Sequence, residues 1–144
     1  MGEQQPDRHD AAPPPGGGRP RVLLVEDEPN IATAIAFLLG RDGMRVSTHS
    51  DGATALAAIE RHRPDVVVLD VMLPGRTGFD LLAAIRTGVR PSLPVLMLTA
   101  KGQARDRDRA EALGVDRFMT KPFSNGDLVA AVRTLASAGR PGGP

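Results

Sequence analysis

Four short apolar runs in this chain each end on a group that can do chemistry. Arg21-Val22-Leu23-Leu24-Val25 leads into the acidic triplet Glu26-Asp27-Glu28, and Asp65-Val66-Val67-Val68-Leu69 leads into Asp70. Val95-Leu96-Met97-Leu98 delivers Thr99, and Arg117-Phe118-Met119-Thr120 delivers Lys121. A short apolar run bounded by polar or turn residues reads as a buried strand. If the strands are parallel neighbours, their carboxyl ends meet on one edge of the sheet. Carboxylates, a hydroxyl and an ammonium then share one pocket. Clustered carboxylate oxygens suit a hard divalent cation, and a hydroxyl and an ammonium beside them suit a phosphoryl group.

The segments between these runs supply the elements that must position them. Ile31, Ala34, Ile35, Leu38 and Leu39 follow the i, i+3, i+4, i+7, i+8 spacing of one helix face, and Gly40 and Gly43 end that helix. Met44, Val46 and Thr48 alternate with polar residues, as a short, exposed strand would. Asp51 can cap a second helix carrying Ala55, Leu56 and Ile59, which stops before Pro64. Pro74-Gly75 marks a loop, where Gly75 and Gly78 serve loop geometry. A third helix holds Phe79, Leu81, Leu82 and Ile85. The fourth, around Arg105 to Leu113, is charge-rich, with Gly114 suited to its C-cap. A fifth follows Ser124 or Asn125 and carries Leu128, Val129, Val132 and Leu135, with Ser124 and Asp127 spaced as a capping box. Strands and helices in alternation predict an α/β domain: a doubly wound, five-stranded parallel sheet with helices on both faces.

Of the 144 residues, about 41% are apolar, enough for a core. Four Phe and no Trp or Tyr make that core aliphatic. Eighteen basic and 17 acidic residues nearly cancel, so no general attraction to nucleic acid or an anionic membrane is expected. The absence of cysteine excludes disulfides, thiolate metal sites and cysteine nucleophiles. No apolar stretch approaches the roughly 20 residues that span a bilayer. The first 20 residues lack the apolar core of a secretory signal, so a cytoplasmic location is expected. The composition divides the chain into a Pro/Gly-rich disordered tail (1–20), one domain (21–136) and a second tail or linker stump (137–144).

Open α/β sheets bind ligands beyond the carboxyl ends of the strands, where the winding reverses. With strand order 2-1-3-4-5, that point lies between strands one and three. Asp27 and Asp70 would flank it, with Glu26 beside them and Thr99 and Lys121 entering from the next two strands. The pieces Val25-Glu26-Asp27-Glu28, Leu69-Asp70-Val71-Met72-Leu73-Pro74-Gly75, Leu98-Thr99-Ala100 and Lys121-Pro122-Phe123 are each weak signals. In this order and spacing they are highly specific. From Arg21 to Ala136 the chain resembles the receiver domain of two-component response regulators, a flavodoxin-like fold.

The resemblance implies roles. Asp70 matches the phosphoacceptor, taking a phosphoryl group from a sensor histidine kinase or a histidine phosphotransfer protein. Asp27 matches a direct ligand of Mg2+, and Glu26 its companion acting through a water. Asp70 and the backbone carbonyl of Met72 would complete the protein's share of the metal site. Lys121 would act as a second cation on the phosphoryl group, Thr99 as a hydroxyl donor and Ala100 as an N–H donor. Thr99 and Phe118 match the switch pair, through which helix four, strand five and helix five would present a changed surface to a downstream protein. The Lys121–Pro122 bond is usually cis in the family. Arg117 and Ala131 stand where members that dimerise through the last two helices often carry an acidic residue and an arginine, which weakens the case for that dimer. Met72 and Lys101 flank the path of a hydrolytic water.

Other residues read more blandly. Glu28 reads as a solvated loop charge and Phe123 as core. His9, His49 and His62 lack metal-ligand spacing. The run Arg105-Asp106-Arg107-Asp108-Arg109 reads as a solvated face, with a partner-docking face as the alternative. Competing functions fare worse. An aspartyl-phosphate phosphatase of the haloacid dehalogenase type wants a second Asp where Met72 stands. An FMN carrier wants a hydroxyl-rich loop in place of Glu26-Asp27-Glu28. A phosphorylation-independent binding module would not need the intact site. The leading expectation is a stand-alone phosphorylation-controlled switch that binds neither nucleic acid nor membrane. The variant is the receiver half of a DNA-binding transcription regulator.

Overall fold

The computed structural model describes residues 18–88, 90–100 and 104–138. Five strands form one parallel sheet: β1 (Arg21–Val25), β2 (Arg45–His49), β3 (Val66–Asp70), β4 (Val95–Thr99) and β5 (Arg117–Thr120), in spatial order β2-β1-β3-β4-β5. The helices are α1 (Pro29–Arg41), α2 (Ala55–His62), α3 (Gly78–Arg86), α4 (Ala104–Ala112) and α5 (Asn125–Ala138).

The three central strands are apolar at nearly every position because both faces of the sheet are covered. Side chains alternate across a strand, and the two halves of each run enter different cores. Leu23, Val25, Val67, Leu69, Val95, Met97 and Phe118 pack against residues of α2, α3 and α4. Val22, Leu24, Val66, Val68, Leu96, Leu98 and Met119 pack against α1 and α5. A fully buried side chain of this size contributes about 1.5–3 kcal/mol, so these strands fix the fold and its register. β2 is an edge strand, mostly half-buried, as its mixed sequence requires.

Several local details differ from the sequence reading. The buried stripe of α1 is Ala32, Ile35 and Leu39, while Ala34 is exposed; the helix sits rotated so that its core face centres on Ile35. Gly40 lies inside the helix, which runs to Arg41. Asp51 caps a short 3-10 turn (Gly52–Thr54) that leads into α2, through a hydrogen bond accepted from the Ala53 N–H at 2.9 Å. α4 buries only Ala110, and Gly114 takes the left-handed conformation expected of it, with φ 93°. The last helix runs from Asn125 to Ala138. Its Ser124 hydroxyl accepts from the Asp127 N–H at 3.1 Å, the cap half of the expected box. The N-terminal residues to 17, with His9, and the stretches 101–103 and 139–144 lie outside the described residues, so Lys101 does too.

Candidate functional site at the carboxyl edge of the sheet

Each site residue stands where a strand ends. After β1 the backbone N–H of Glu26 bonds to the His49 carbonyl at 2.9 Å, extending the ladder one step and turning the Glu26 side chain into the protein, 3% exposed. Asp27, next in line, is exposed. Glu28 is not a loose surface charge. It is the N-cap of α1, its carboxylate accepting from the Asn30 and Ile31 N–H groups at 2.9 and 3.1 Å, ahead of Pro29 in the first turn. Its own N–H donates to Glu26 Oε2 at 3.1 Å. The cap therefore fixes Glu26 as well as the helix.

Asp70 closes β3 and is 8% exposed. Its Oδ1 accepts from the Met72 N–H at 3.1 Å, while the Met72 side chain is 72% exposed. The chain then reverses tightly, with the Gly78 N–H donating to the Val71 carbonyl at 2.8 Å. A Cβ on Gly78 would lie 2.5 Å from the Asp70 carbonyl oxygen, so only glycine permits this approach. Thr99 ends β4 and is 3% exposed, and Ala100 follows on the surface. The Lys121 N–H donates to the Thr99 carbonyl at 2.8 Å, and the Lys121–Pro122 bond is cis.

These placements bring distant groups together. Lys121 Nζ lies 3.3 Å from Asp70 Oδ2 and 3.5 Å from Glu26 Oε1. One oxygen from each of Glu26, Asp27 and Asp70 falls within 4.8 Å of the others. Three carboxylates face one ammonium, an excess of negative charge at a partly buried site. The strain shows in Glu26. Burial, then a hydrogen bond shared with Asp70, pushes its pKa up to about 7 from near 4.5, against the opposing pull of the Glu28 N–H and Lys121. A hard cation relieves that crowding, and an all-oxygen donor set fits magnesium.

On the side of the sheet covered by α2, α3 and α4, Phe118 is buried in the core, with the Arg107 guanidinium carbon 5.0 Å from its ring centre. Alternation puts Thr99 and Phe118 on the same face of the sheet. Phe123 is half-buried against the opposite core. His49 ends β2, its Nε2 2.7 Å from the Thr54 hydroxyl, and is not part of the Glu26–Asp27–Asp70 group.

The response regulator receiver domain family matches residues 22–133. The chain belongs to that family. As a receiver domain it is 46% identical over 114 residues to the probable transcriptional regulatory protein TcrX of Mycobacterium tuberculosis, covering 79% of this chain and 48% of that protein. It is 42% identical over 118 residues to the sensory transduction protein RegX3 of Mycolicibacterium smegmatis, covering 82% of this chain and 51% of the relative. The chain thus spans about half the length of these relatives. Among solved structures, the receiver domain of the Francisella response regulator 1452 superposes with a TM-score of 0.79 at 31% identity, over 83% of this chain and 98% of that one. The Vibrio cholerae chemotaxis protein CheY4 superposes with a TM-score of 0.76 at 30% identity, over 82% and 99%. Within the described residues no helix is long and apolar enough to cross a membrane.

The sequence reading named Glu26 as a site residue but missed its burial, and it missed the capping role of Glu28. The capping role of Glu28 was hidden because glutamate is an uncommon cap. The burial of Glu26 was hidden because an acidic triplet reads as surface. A proline directly after Glu28 was the available signal for the first.

Proposed function

We propose that this receiver domain is a phosphorylation-controlled switch in which Asp70 accepts a phosphoryl group from a histidine kinase or a histidine phosphotransfer protein. An Asp70 carboxylate oxygen forms the new bond to phosphorus as the bond to the donor imidazole nitrogen breaks, leaving an acyl phosphate. What supports the reading is the placement of Lys121 Nζ between Asp70 and Glu26 at the carboxyl edge. Phosphoryl transfer needs positioning and charge neutralisation above all. Lys121 neutralises charge on the incoming group, the Met72 N–H orients Asp70, and Thr99 and the Ala100 N–H supply donors. Asp27, Asp70 and the Met72 carbonyl would hold Mg2+ directly and Glu26 through water. The ion would supply further positive charge at the phosphoryl oxygens.

The phosphorylated side chain carries more negative charge and more acceptor oxygens than the carboxylate it replaces. Thr99 would turn toward it and Phe118 would repack behind Thr99. The surface of α4, β5 and α5 would then change for a downstream protein in the cytoplasm. Switching from 1:99 to 99:1 requires about 5.5 kcal/mol of differential interaction between the two states.

Intact mass after treatment with acetyl phosphate and magnesium tests the assignment. The parent gains one phosphoryl mass and Asp70→Asn gains none. Label on the Asn variant would place the acceptor elsewhere.

A second reading has its own support: relatives twice this chain's matched length are named as transcriptional regulators. On that reading the domain controls a DNA-binding half. Reading the gene past codon 144 tests it, and an open frame encoding a further domain is the expected outcome.

A further inference from the structure

Charge that nearly cancels over the whole chain is segregated in space. All strands begin at the edge of the sheet opposite Asp70. That edge collects Arg21 and Arg45 as register partners, Arg61 and Arg63 at the end of α2, and Arg90 ahead of β4. Arg21, Arg45, Arg61 and Arg63 line one hollow, and Arg61, Arg63 and Arg90 border a second. The second is a cleft of about 700 Å3 between α2 and the end of α3, lined by Leu56, Ile59, Ile85 and Leu93, with Glu60 as the acidic residue of the lining. The nearby Asp65 carboxylate already accepts from the Arg21 N–H at 2.8 Å. Arg90 donates Nη2 to the Pro64 carbonyl at 2.8 Å, while its Nη1 is the one buried side-chain nitrogen or oxygen among the described residues with no hydrogen-bond partner. Burial, then the neighbouring Arg63 charge, lowers the Arg90 pKa from its ordinary value, against the opposing pull of Asp65.

We propose that this cleft docks an acidic amphipathic segment of a partner protein, its apolar side chains on the α2–α3 floor and its carboxylates on Arg61, Arg63 and Arg90. Both halves of the site are needed to choose this occupant. A phosphate backbone would use the arginines and leave the apolar floor in water. A purely apolar helix would fill the floor and desolvate three guanidinium groups without partners, which is costly. A segment with leucine-like residues at i, i+3, i+4 and i+7 flanked by glutamates satisfies both, and the cleft volume is that of a ligand pocket. The surface is on the far side of the sheet from the phosphoacceptor, so this inference does not depend on the chemistry proposed there.

Fluorescence anisotropy tests it, using a labelled peptide of about 15 residues with leucines in that helical spacing and glutamates elsewhere, titrated with the full chain at physiological salt. Saturable binding is expected. The double variant Arg61→Glu/Arg63→Glu should weaken it roughly tenfold or more, as should replacing the peptide's leucines with alanine. Leu56→Glu, a half-buried position on the cleft wall, provides a second variant, and both variants are checked by thermal melting. Amide shifts of the labelled chain should map to the cleft. Absence of saturable binding, equal binding of the alanine peptide, or tighter arginine-dependent binding of a DNA duplex would overturn the proposal.

Discussion

The two edges of this sheet handle charge in opposite ways. At the carboxyl edge, carboxylates from different strand ends face each other around Lys121, and their mutual repulsion is left for a ligand to relieve. At the amino edge, one arginine is spent on structure. Arg86 gives Nε to the Gly114 carbonyl at 2.9 Å, Nη1 to the Pro91 and Leu93 carbonyls at 3.1 and 2.7 Å, and Nη2 to Asp116 Oδ2 at 2.7 Å. Asp116 Oδ2 also accepts from the Val95 N–H at 2.8 Å, so the pair ties α3 to the starts of β4 and β5. Crowded carboxylates at one edge contrast with the fully engaged Arg86–Asp116 pair at the other.

That contrast can be broken by substitution. Lys121→Ala should have the largest functional effect: acetyl phosphate with magnesium no longer drives the parent's conformational shift, although the fold survives. Amide spectra with and without acetyl phosphate check this; an unchanged shift would remove Lys121 from the switch. Arg86→Ala should do the reverse. Losing charge-assisted bonds to three carbonyls and a carboxylate should cost about 2–3 kcal/mol, discounted for partial exposure, with label transfer to Asp70 intact in the folded fraction. Denaturant midpoints and intact mass measure the two halves of that prediction.

The raised pKa of Glu26 predicts a pH signature for the carboxyl edge. With folded pKa about 7 and ordinary value near 4.5, the folded chain keeps a proton between those values that the unfolded chain has released. Stability in the absence of divalent cations should therefore fall as pH rises from about 4.5 to about 7 and level off above. Magnesium favours the ionised carboxylate, so its affinity should rise through the same region with release of a proton. Glu26→Gln should flatten both profiles, as read by denaturation and by calorimetry in buffers of different ionisation enthalpy. The smallest effect is expected for Glu28→Ala, about 1 kcal/mol from the lost cap of α1, with Glu26 less firmly held.

The strands were the most legible part of the sequence. Val66-Val67-Val68-Leu69 and Val95-Leu96-Met97-Leu98 are apolar on both faces, the pattern of strands in a sheet covered on both sides. The α3 stripe, Phe79, Leu81, Leu82 and Ile85, was equally plain. The α1 stripe was read correctly at Ile31, Ile35, Leu38 and Leu39 and missed only at Ala34, because alanine carries little directional information: Ala32 and Ala34 differ in burial but not in type. Arg86 gave no signal, since its partners lie 5 to 30 residues away and three of them are backbone carbonyls.

Residue order alone determined the alternation of strands and helices and put a reactive group at the end of each inner strand. Local propensity and apolar periodicity act over a few residues, and those were sufficient. Only the tertiary structure decided how close the groups come. It set Lys121 3.3 Å from Asp70 across 51 residues, buried Glu26 while leaving Asp27 in solvent, and gathered the arginines at the far edge. Burial and electrostatic coupling depend on what packs from other strands, and no stretch of sequence contains its own neighbours.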